Sequence, residues 1–500
     1  MPPPPFPNAA RPDAPPPNAL RQVLVAGGGI TAWCAAAALK RRAPFLSVTL
    51  LETPPAHDAL ADRIACTLPS IAGFHGDLGL RDEDSILRTG SGYRLGTLFA
   101  GWSADGREYV HAYDGYGHAI GTAAFPLHWL RAEANGGVAP FDAFAPAAAL
   151  ARAGRFVPPS PDTAFSAHEF GLTLDLPRYT RMLRAFAQHV GVAIVRDAIA
   201  GVEPDARGGI AAVALASGRR LAADLFIDAT GPAAQLRATI DTARDDWSAW
   251  LPCDRVLLAH GPDIEPPVLT PVTAFGAGWH WASGAQSGLA YASAHLDDAA
   301  AAALLTGADA ESIVVRPGTR REPWRGNCIA IGDAATQIDP LEWCNLHLAL
   351  SAIDRLVAML PDRDMAPVEA ADFNRQTLAE AERVRDFLAL HYRTTGRREP
   401  IWRAVAAAEP PASLAHTLRQ FGERGRLPFY EEETFARDGW AAVLIGQGVR
   451  PRRIDPLVEG TPAAEAAAAM RAMTEAIAAA LPHTPTHAAW IAAQARRLAR

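Results

Sequence analysis

The sequence predicts an α/β fold with antiparallel sheet insertions and a helical cap at the C-terminus. Three observations lead to this prediction. Strand-like apolar runs alternate with helical patterns from residue 20 to about residue 365, as in chains built from βαβ units. A hairpin pattern with Ser217-Gly218 at its turn interrupts this alternation and indicates an antiparallel insertion. Beyond Pro367 the chain is mostly alanine-rich amphipathic helix.

The first element surrounds a glycine-rich turn. Residues 21–40 contain an apolar strand, three glycines and an alanine-rich helix. Gly27 suits the tight turn, Gly29 lets the backbone approach a pyrophosphate, and Ala32 allows the helix and strand to pack closely. The N–H groups and the positive dipole end of the helix would face the phosphates. We therefore predict a site for an adenine dinucleotide.

The following elements extend the predicted sheet. A strand over residues 47–52 ends in Glu52, about twenty residues after the glycines, where the ribose-binding acid of such units usually lies. The pattern then predicts a helix over 177–189, a strand at 191–195, and buried strands in the stretches 224–231 and 327–335. Asp333 follows the last of these strands and could cap a helix or contact the cofactor. Residues 105–161 give mixed signals, and no element is predicted there.

Three segments are expected along the chain. Residues 1–19 are rich in proline and lack a basic start and an apolar core, so we predict a disordered tail rather than a signal peptide. Residues 20–365 are predicted to form a nucleotide-binding domain with an interleaved substrate sheet. Residues 366–500 are predicted to form the α-helical cap region.

Composition excludes several classes of partner and site. The net charge of -7 is spread along the chain, which argues against nucleic acid and against an anionic membrane. The sequence contains no run of 18 or more apolar residues, so no membrane span is predicted. The five cysteines are scattered without a C-x-x-C pair, so neither a disulfide framework nor a metal site is predicted, and a reducing cytoplasm is expected.

Four ordered stretches resemble the flavin-dependent tryptophan halogenases, from Gln22 to about Val357. They are the glycine turn followed by Trp33, the block from 172 to 231, Trp279-x-Trp281, and Gly-Asp-Ala-Ala at 332–335 followed by Asp-Pro-Leu-Glu at 339–342. The resemblance implies an FAD-binding, Rossmann-like domain of the flavoprotein monooxygenase and halogenase type.

The resemblance also implies a chemistry and a set of residues. In that family reduced FAD, O2 and chloride or bromide give hypohalous acid, which crosses a tunnel to an electron-rich aromatic held between a lysine and a glutamate. Asp333 and Leu341 would then contact the flavin. The backbone N–H groups of Cys344 and Asn345 would hold the halide. Glu342 would polarise the oxidant or accept the ring proton.

The resemblance fails at the predicted chemical site. Arg94 stands where the family carries its lysine, and Lys40, the only lysine in the chain, lies at the far end of the first helix. A guanidinium stays protonated, so Arg94 cannot easily form a haloamine, although it could orient hypohalous acid through hydrogen bonds. A structural ion pair with a carboxylate is the other interpretation. Residues 64–69 also lack the family's glutamate, and the Trp-x-Trp stretch lacks its Ile-Pro ending.

The leading hypothesis is an FAD-dependent halogenase-type oxidoreductase that takes FADH2 from a separate flavin reductase, because only one dinucleotide site is visible. Its substrate would be a small electron-rich aromatic, such as tryptophan or another indole, a phenol or a pyrrole, free or carrier-bound. Two alternatives remain open: a flavin-dependent monooxygenase, and a catalytically impaired flavin-binding homologue that acts as a scaffold or carrier.

Overall fold

The computed structural model describes residues 18–262, 264–305 and 310–498. Most of the predicted tail, residues 1–17, therefore lies outside the described residues. The strands within the described ranges are β1 Gln22–Ala26, β2 Ser47–Glu52, β3 Gly92–Arg94, β4 Gly96–Ala100, β5 Tyr109–Ala112, β6 Gly171–Thr173, β7 Ala193–Arg196, β8 Ile199–Pro204, β9 Ile210–Leu215, β10 Arg220–Leu221, β11 Leu225–Asp228, β12 Asp245–Asp246, β13 Arg255–His260, β14 Leu269–Phe275, β15 Gly278–Ser283, β16 Gln286–Tyr291, β17 Ala310–Val314, β18 Gly318–Thr319, β19 Trp324–Arg325, β20 Cys328–Ala330 and β21 Thr336–Gln337.

Helices lie among the strands up to Ala358 and make up most of the described chain from Pro367 onward. In chain order they are α1 Ile30–Arg42, α2 Ser70–Leu78, α3 Asp82–Thr89, α4 Phe125–Ala134, α5 Pro146–Arg152, α6 Leu176–Val190, α7 Asp298–Leu304, α8 Cys344–Ala358, α9 Pro367–Arg393, α10 Pro400–Ala407, α11 Ala412–Arg424, α12 Arg437–Gly446, α13 Ala463–Ala480 and α14 His487–Leu498. The stretch 105–161, for which the sequence predicted no element, contains β5, α4 and α5. None of the helices in the described ranges has the length and apolarity needed to cross a membrane.

A six-stranded sheet contains the strands around the glycine-rich turn, in the order β19-β20-β11-β1-β2-β7. Its strands β20, β11, β1, β2 and β7 run parallel. Parallel strands are covered on both faces, which explains the unbroken apolar runs in β1 and β11. The alanine-rich α1 packs closely against α6 and α8 because its small side chains let the helix backbones approach.

A second sheet has seven strands, in the order β17-β13-β16-β15-β14-β4-β5. All neighbouring strands in it are antiparallel except β4 and β14, so an antiparallel insertion is present, as predicted. The predicted hairpin at 212–222 lies in a separate three-stranded antiparallel sheet, in the order β10-β9-β8. Trp279 and Trp281 lie on β15 with both indoles buried, and the exposed His280 lies between them. These tryptophans are therefore core residues.

The long helix α9 joins the C-terminal region to this second sheet. Its C-terminal half is buried, and His391 and Tyr392 near its end reach carboxylates that follow β21. α9 starts at Pro367, just after the predicted boundary at residue 365. The division of the chain at that boundary stays a prediction, since α9 contributes directly to the site described below.

Candidate active site

The turn between β1 and α1 has the geometry of a phosphate cradle. Gly27 has φ +153°, and a Cβ there would lie 2.4 Å from the carbonyl oxygen of Ala229. Only glycine fits such a position. Ala32 is fully buried beside Gly27, so the strand and helix approach closely, as predicted. The first turn of α1 therefore presents its N–H groups at the carboxyl end of the sheet.

A carboxylate of the chain already contacts this helix end. Asp62 Oδ1 accepts a hydrogen bond of 2.7 Å from the backbone N–H of Thr31. Its Oδ2 lies against Gly29, where a Cβ would be only 1.9 Å away. Partial burial raises the pKa of Asp62. The carboxylate of Asp62 thus caps the end of α1 at which a phosphate would be expected to bind.

Asp333 lies beside the cradle with one oxygen unpaired. It follows β20 in a short 3-10 turn, and its Oδ2 accepts a 2.8 Å hydrogen bond from the N–H of Ala61. Its Oδ1 is buried and has no partner among the described residues. Burial raises the pKa of Asp333 to about 8, and the charge of Asp62 adds to the rise. Such an orphaned oxygen suits a cofactor hydroxyl as its partner.

Glu52 ends β2 as predicted, but guanidinium groups already pair with its carboxylate. Oε1 bonds Arg184, and Oε2 accepts a 2.8 Å bond from Arg196 Nε. The Arg184 guanidinium also lies 5.1 Å from the centre of a Trp33 ring. A ribose at this acid would have to share the carboxylate with these arginines.

The Pro-Leu-Glu turn holds two residues in the left-handed region. Glu342 has φ +57° and Trp343 has φ +63°, and neither is glycine. Such conformations cost of order 1–3 kcal/mol each and persist where the surroundings impose them. Leu341 is fully buried, and its N–H donates to Asp339 Oδ1 at 3.0 Å. The turn directs Glu342 into the interior, with no exposed surface.

The predicted halide residues start α8 directly after this turn. Cys344 and Asn345 lie in its first turn, whose N–H groups have no partner within the helix. The Cys344 thiol is buried, and burial together with Glu342 raises its pKa, so it is an inert thiol rather than a nucleophile. Asn345 donates through Nδ2 to Ile338 O at 2.9 Å, while its buried Oδ1 lacks a partner among the described residues.

Arg94 is fully buried on β3 and uses every N–H donor that a guanidinium has. Nε donates to Thr270 Oγ1 at 2.9 Å, and Nη1 to Thr67 O at 3.0 Å and Tyr113 Oη at 2.7 Å. Nη2 makes two longer bonds, 3.3 Å to Gly96 O and 3.4 Å to Thr97 Oγ1. No carboxylate among the described residues forms an ion pair with it.

Glu342 and Arg94 lie on either side of Thr97. The Thr97 hydroxyl contacts Glu342 Oε2 and Arg94 Nη2, both at 3.4 Å, and accepts a 3.0 Å bond from the Trp343 indole. Two imidazoles face the other carboxylate oxygen: Oε1 is 2.8 Å from His111 Nδ1 and 3.0 Å from His391 Nε2. Burial alone would raise the pKa of Glu342, but the two histidines together lower it to about 2.

A cavity of about 350 Å³ opens beside this cluster. Two residues at its wall connect it to the buried groups, since His111 bonds Glu342 and Tyr113 bonds Arg94. Phe435 adds an aromatic face. Three acids, Asp114, Glu169 and Asp438, also line it, and no lysine or arginine does. We call this space the His111 cavity.

Comparison with known proteins gives the family. The sequence model of the family described as tryptophan halogenase matches residues 22–463. The chain belongs to the tryptophan halogenase family. Tryptophan 7-halogenase KtzQ of Kutzneria sp. (strain 744) is 28% identical over 93% of this chain and 97% of that relative.

Solved structures of halogenases show the same fold. BrvH, a flavin-dependent halogenase from Brevundimonas sp. BAL3, has a TM-score of 0.89 and 33% identity, covering 95% of this chain and 100% of BrvH. Xcc4156, a flavin-dependent halogenase from Xanthomonas campestris, has a TM-score of 0.90 and 31% identity, covering 95% of this chain and 98% of Xcc4156. The predicted fold class, family and enzyme class are confirmed. The monooxygenase and scaffold alternatives find no support among these relatives.

The halogenase family depends on flavin, and the residues of the cradle fit FAD. The turn at Gly27, the anion-binding end of α1 and the unpaired Oδ1 of Asp333 are the features that a dinucleotide requires. Asp62 is the exception, because its carboxylate must leave the N–H of Thr31 before a phosphate can bind there.

Several residues of this halogenase-family site were missed from sequence. His111 lies in the stretch for which no element was predicted, and His391 and Asp62 belong to no motif that the sequence analysis used. The sequence pattern around His111, apolar and aromatic residues at alternate positions in Tyr-Val-His-Ala-Tyr, was a strand signal that could have indicated a buried histidine.

Proposed function

We propose that this protein halogenates a small electron-rich aromatic, using reduced FAD, O2 and chloride or bromide. FADH2 would come from a separate flavin reductase. The cytoplasm is the proposed location, and the five buried, unpaired cysteines agree with a reducing compartment.

The position of Glu342 is the observation that carries this proposal. The turn that contains it leads directly into α8, which packs against α1 of the cradle. On its other side the carboxylate contacts His111 at the cavity wall. These two contacts support a position of Glu342 between the proposed cofactor and the proposed substrate. The first N–H groups of α8, at Cys344 and Asn345, would hold the halide on the cradle side.

Arg94 is proposed to contact the oxidant through the N–H groups of Nη2, which make its longest hydrogen bonds. A guanidinium cannot act as a nucleophile towards the oxidant, because it remains protonated. Its Nη2 bonds, at 3.3 and 3.4 Å, are the longest that it makes, so these N–H groups can most easily turn to a bound oxidant. Arg94 would then orient hypohalous acid beside Glu342, while its other three bonds fix the side chain.

The His111 cavity fits a small aromatic substrate. A volume of about 350 Å³ lies at the low end for ligand sites, and Tyr113 and Phe435 supply aromatic surface. Asp333 and Leu341 would contact the flavin from the cradle side, with Glu52 near the ribose. Tryptophan, other indoles, phenols and pyrroles are all within the proposed substrate class.

The mass of the product tests this function. The purified protein is loaded with FAD, supplied with a flavin reductase, NADH and bromide, and offered a panel of indoles, phenols and pyrroles. We expect products with the paired isotope pattern of bromine, and none when bromide and chloride are both left out. A gain of oxygen instead, or no product while the loaded flavin is still oxidised, would show that the protein is not a halogenase.

A further inference from the structure

The Glu342 carboxylate is not placed to touch a substrate. It has no exposed surface and is not among the residues at the cavity wall. Hydrogen-bond donors on His111, His391 and Thr97 already surround its two oxygens. A general base must come within hydrogen-bond reach of the proton that it accepts. Some other group therefore has to reach the ring.

His391 compensates the charge of Glu342. Its Nδ1 lies 2.8 Å from Phe387 O, and its Nε2 lies 3.0 Å from Glu342 Oε1. A carbonyl oxygen only accepts, and so does an ionised carboxylate, so both ring nitrogens of His391 must donate. His391 is therefore an imidazolium, and it forms a buried ion pair with Glu342.

His111 is left with a free lone pair at the cavity. In the neutral form of His111 whose Nδ1 donates to Glu342 Oε1, the lone pair is on Nε2. Nε2 has no hydrogen-bond partner within the described part of the chain. Gly439 faces it, and a Cβ at that position would lie 2.7 Å from Nε2. The missing side chain at Gly439 thus keeps space open in front of Nε2.

We propose that His111 is the base that removes the ring proton during halogenation, with Glu342 and His391 as its positioning residues. The proposal rests on the proposed function. The halogen of hypohalous acid bonds to a ring carbon, and hydroxide leaves. The C–H electron pair then returns to the ring as Nε2 takes the proton. His111 becomes an imidazolium beside Glu342, and its proton passes to hydroxide to give water, which balances the reaction.

A substrate deuterated at the halogenated carbon tests this role. In the wild type we expect proton removal to be faster than the preceding steps, so the product ratio from labelled and unlabelled substrate should be close to one. In His111→Gln we expect product formation to fall about 100-fold, the usual size of general-base catalysis, and a primary isotope effect to appear. Halide-dependent oxidation of the bound flavin should keep its rate.

Gly439→Ala gives the same test with His111 intact. Its methyl group would crowd Nε2, so the isotope effect should appear here too. Gly422→Ala is the matched control on α11, because a Cβ there meets nothing within 4 Å, and it should behave as wild type. His111→Gln that halogenates at the wild-type rate, or that loses product without an isotope effect, overturns the proposal. A wild type that makes no halogenated product contradicts the proposed function instead.

Discussion

The cradle and the Glu342 cluster differ in the groups that form them. The cradle consists of backbone groups and small residues that follow one another within a single βαβ unit, with Gly27 at its turn. The Glu342 cluster consists of side chains from β3, β4, β5, α9 and the turn before α8. The comparison teaches that the cradle depends on the local geometry of one turn, whereas the Glu342 cluster depends on how elements distant in sequence pack together. Each prediction below tests one side of that contrast.

Loss of the Glu342 charge should have the largest effect. Glu342→Gln keeps the shape of the side chain but removes the partner of both imidazoles, so halogenation should fall by at least about 100-fold. FAD affinity should not change, because the cradle is separate. Product formation measures the effect on halogenation, and FAD titration measures the effect on the cradle. Glu459→Gln makes the same charge change at an exposed site and is the control. Activity near the wild-type level in Glu342→Gln would remove Glu342 from the mechanism.

Arg94→Lys should lower the halogenation rate about tenfold, the equivalent of about 1.4 kcal/mol. A lysine has three donors in place of five and cannot keep both sets of bonds made by the guanidinium, so acceptors such as Thr67 O lose their partners. Unpaired buried acceptors cost about 1–3 kcal/mol each, so the melting temperature should also drop by several degrees. A lysine variant that halogenates faster than wild type would mean that Arg94 impairs the reaction.

Asp62→Asn should strengthen FAD binding by about tenfold. The Asp62 carboxylate competes with the FAD phosphates for the N-terminus of α1, and its interaction with the helix dipole, about 1 kcal/mol or more, must be lost before they bind. The measurement is FAD titration by quenching of flavin fluorescence, at low salt. Unchanged affinity would show that Asp62 moves away at no cost when FAD binds.

FAD affinity should decrease several-fold as the pH rises through about 8. The raised pKa of Asp333, about 8, means that below this pH the folded protein holds a proton there that the unfolded chain has lost. As the pH rises past 8 the carboxyl ionises and adds a negative charge beside Asp62, which repels the phosphates of FAD. Because the native state binds the extra proton, its stability should also fall with rising pH between about 4 and 8. Asp333→Asn should flatten both profiles, and persistence of either slope in that variant would assign it to another group.

The charge of the substrate should have the smallest effect. The His111 cavity contains three acids, so an aromatic amine should bind a few-fold better than an aromatic carboxylate of the same size. Burial raises the pKa of Asp114 to about 6, so the preference should grow as the pH rises past 6. Asp438→Asn should reduce it. Equal KM values for the amine and the acid at pH 8 would contradict this expectation.

The contrast also explains what could be predicted from sequence. The cradle, Glu52 and the strand before Asp333 could be predicted from spacing, because each depends only on residues that are close together in the sequence. The proximity of Arg94 and Glu342 was expected only from the family resemblance, and the structure joins them through Thr97. The contacts of His111 and His391 depend on how β5 and α9 pack, and no local pattern carries that information.

The most direct measurement is anomalous diffraction from crystals grown with FAD and bromide. With FAD in the cradle, a bromide peak is predicted in hydrogen-bonding contact with the N–H groups of Cys344 and Asn345, on the cradle side of Glu342. FAD bound as predicted but bromide absent from these N–H groups, or found only elsewhere, would contradict the account.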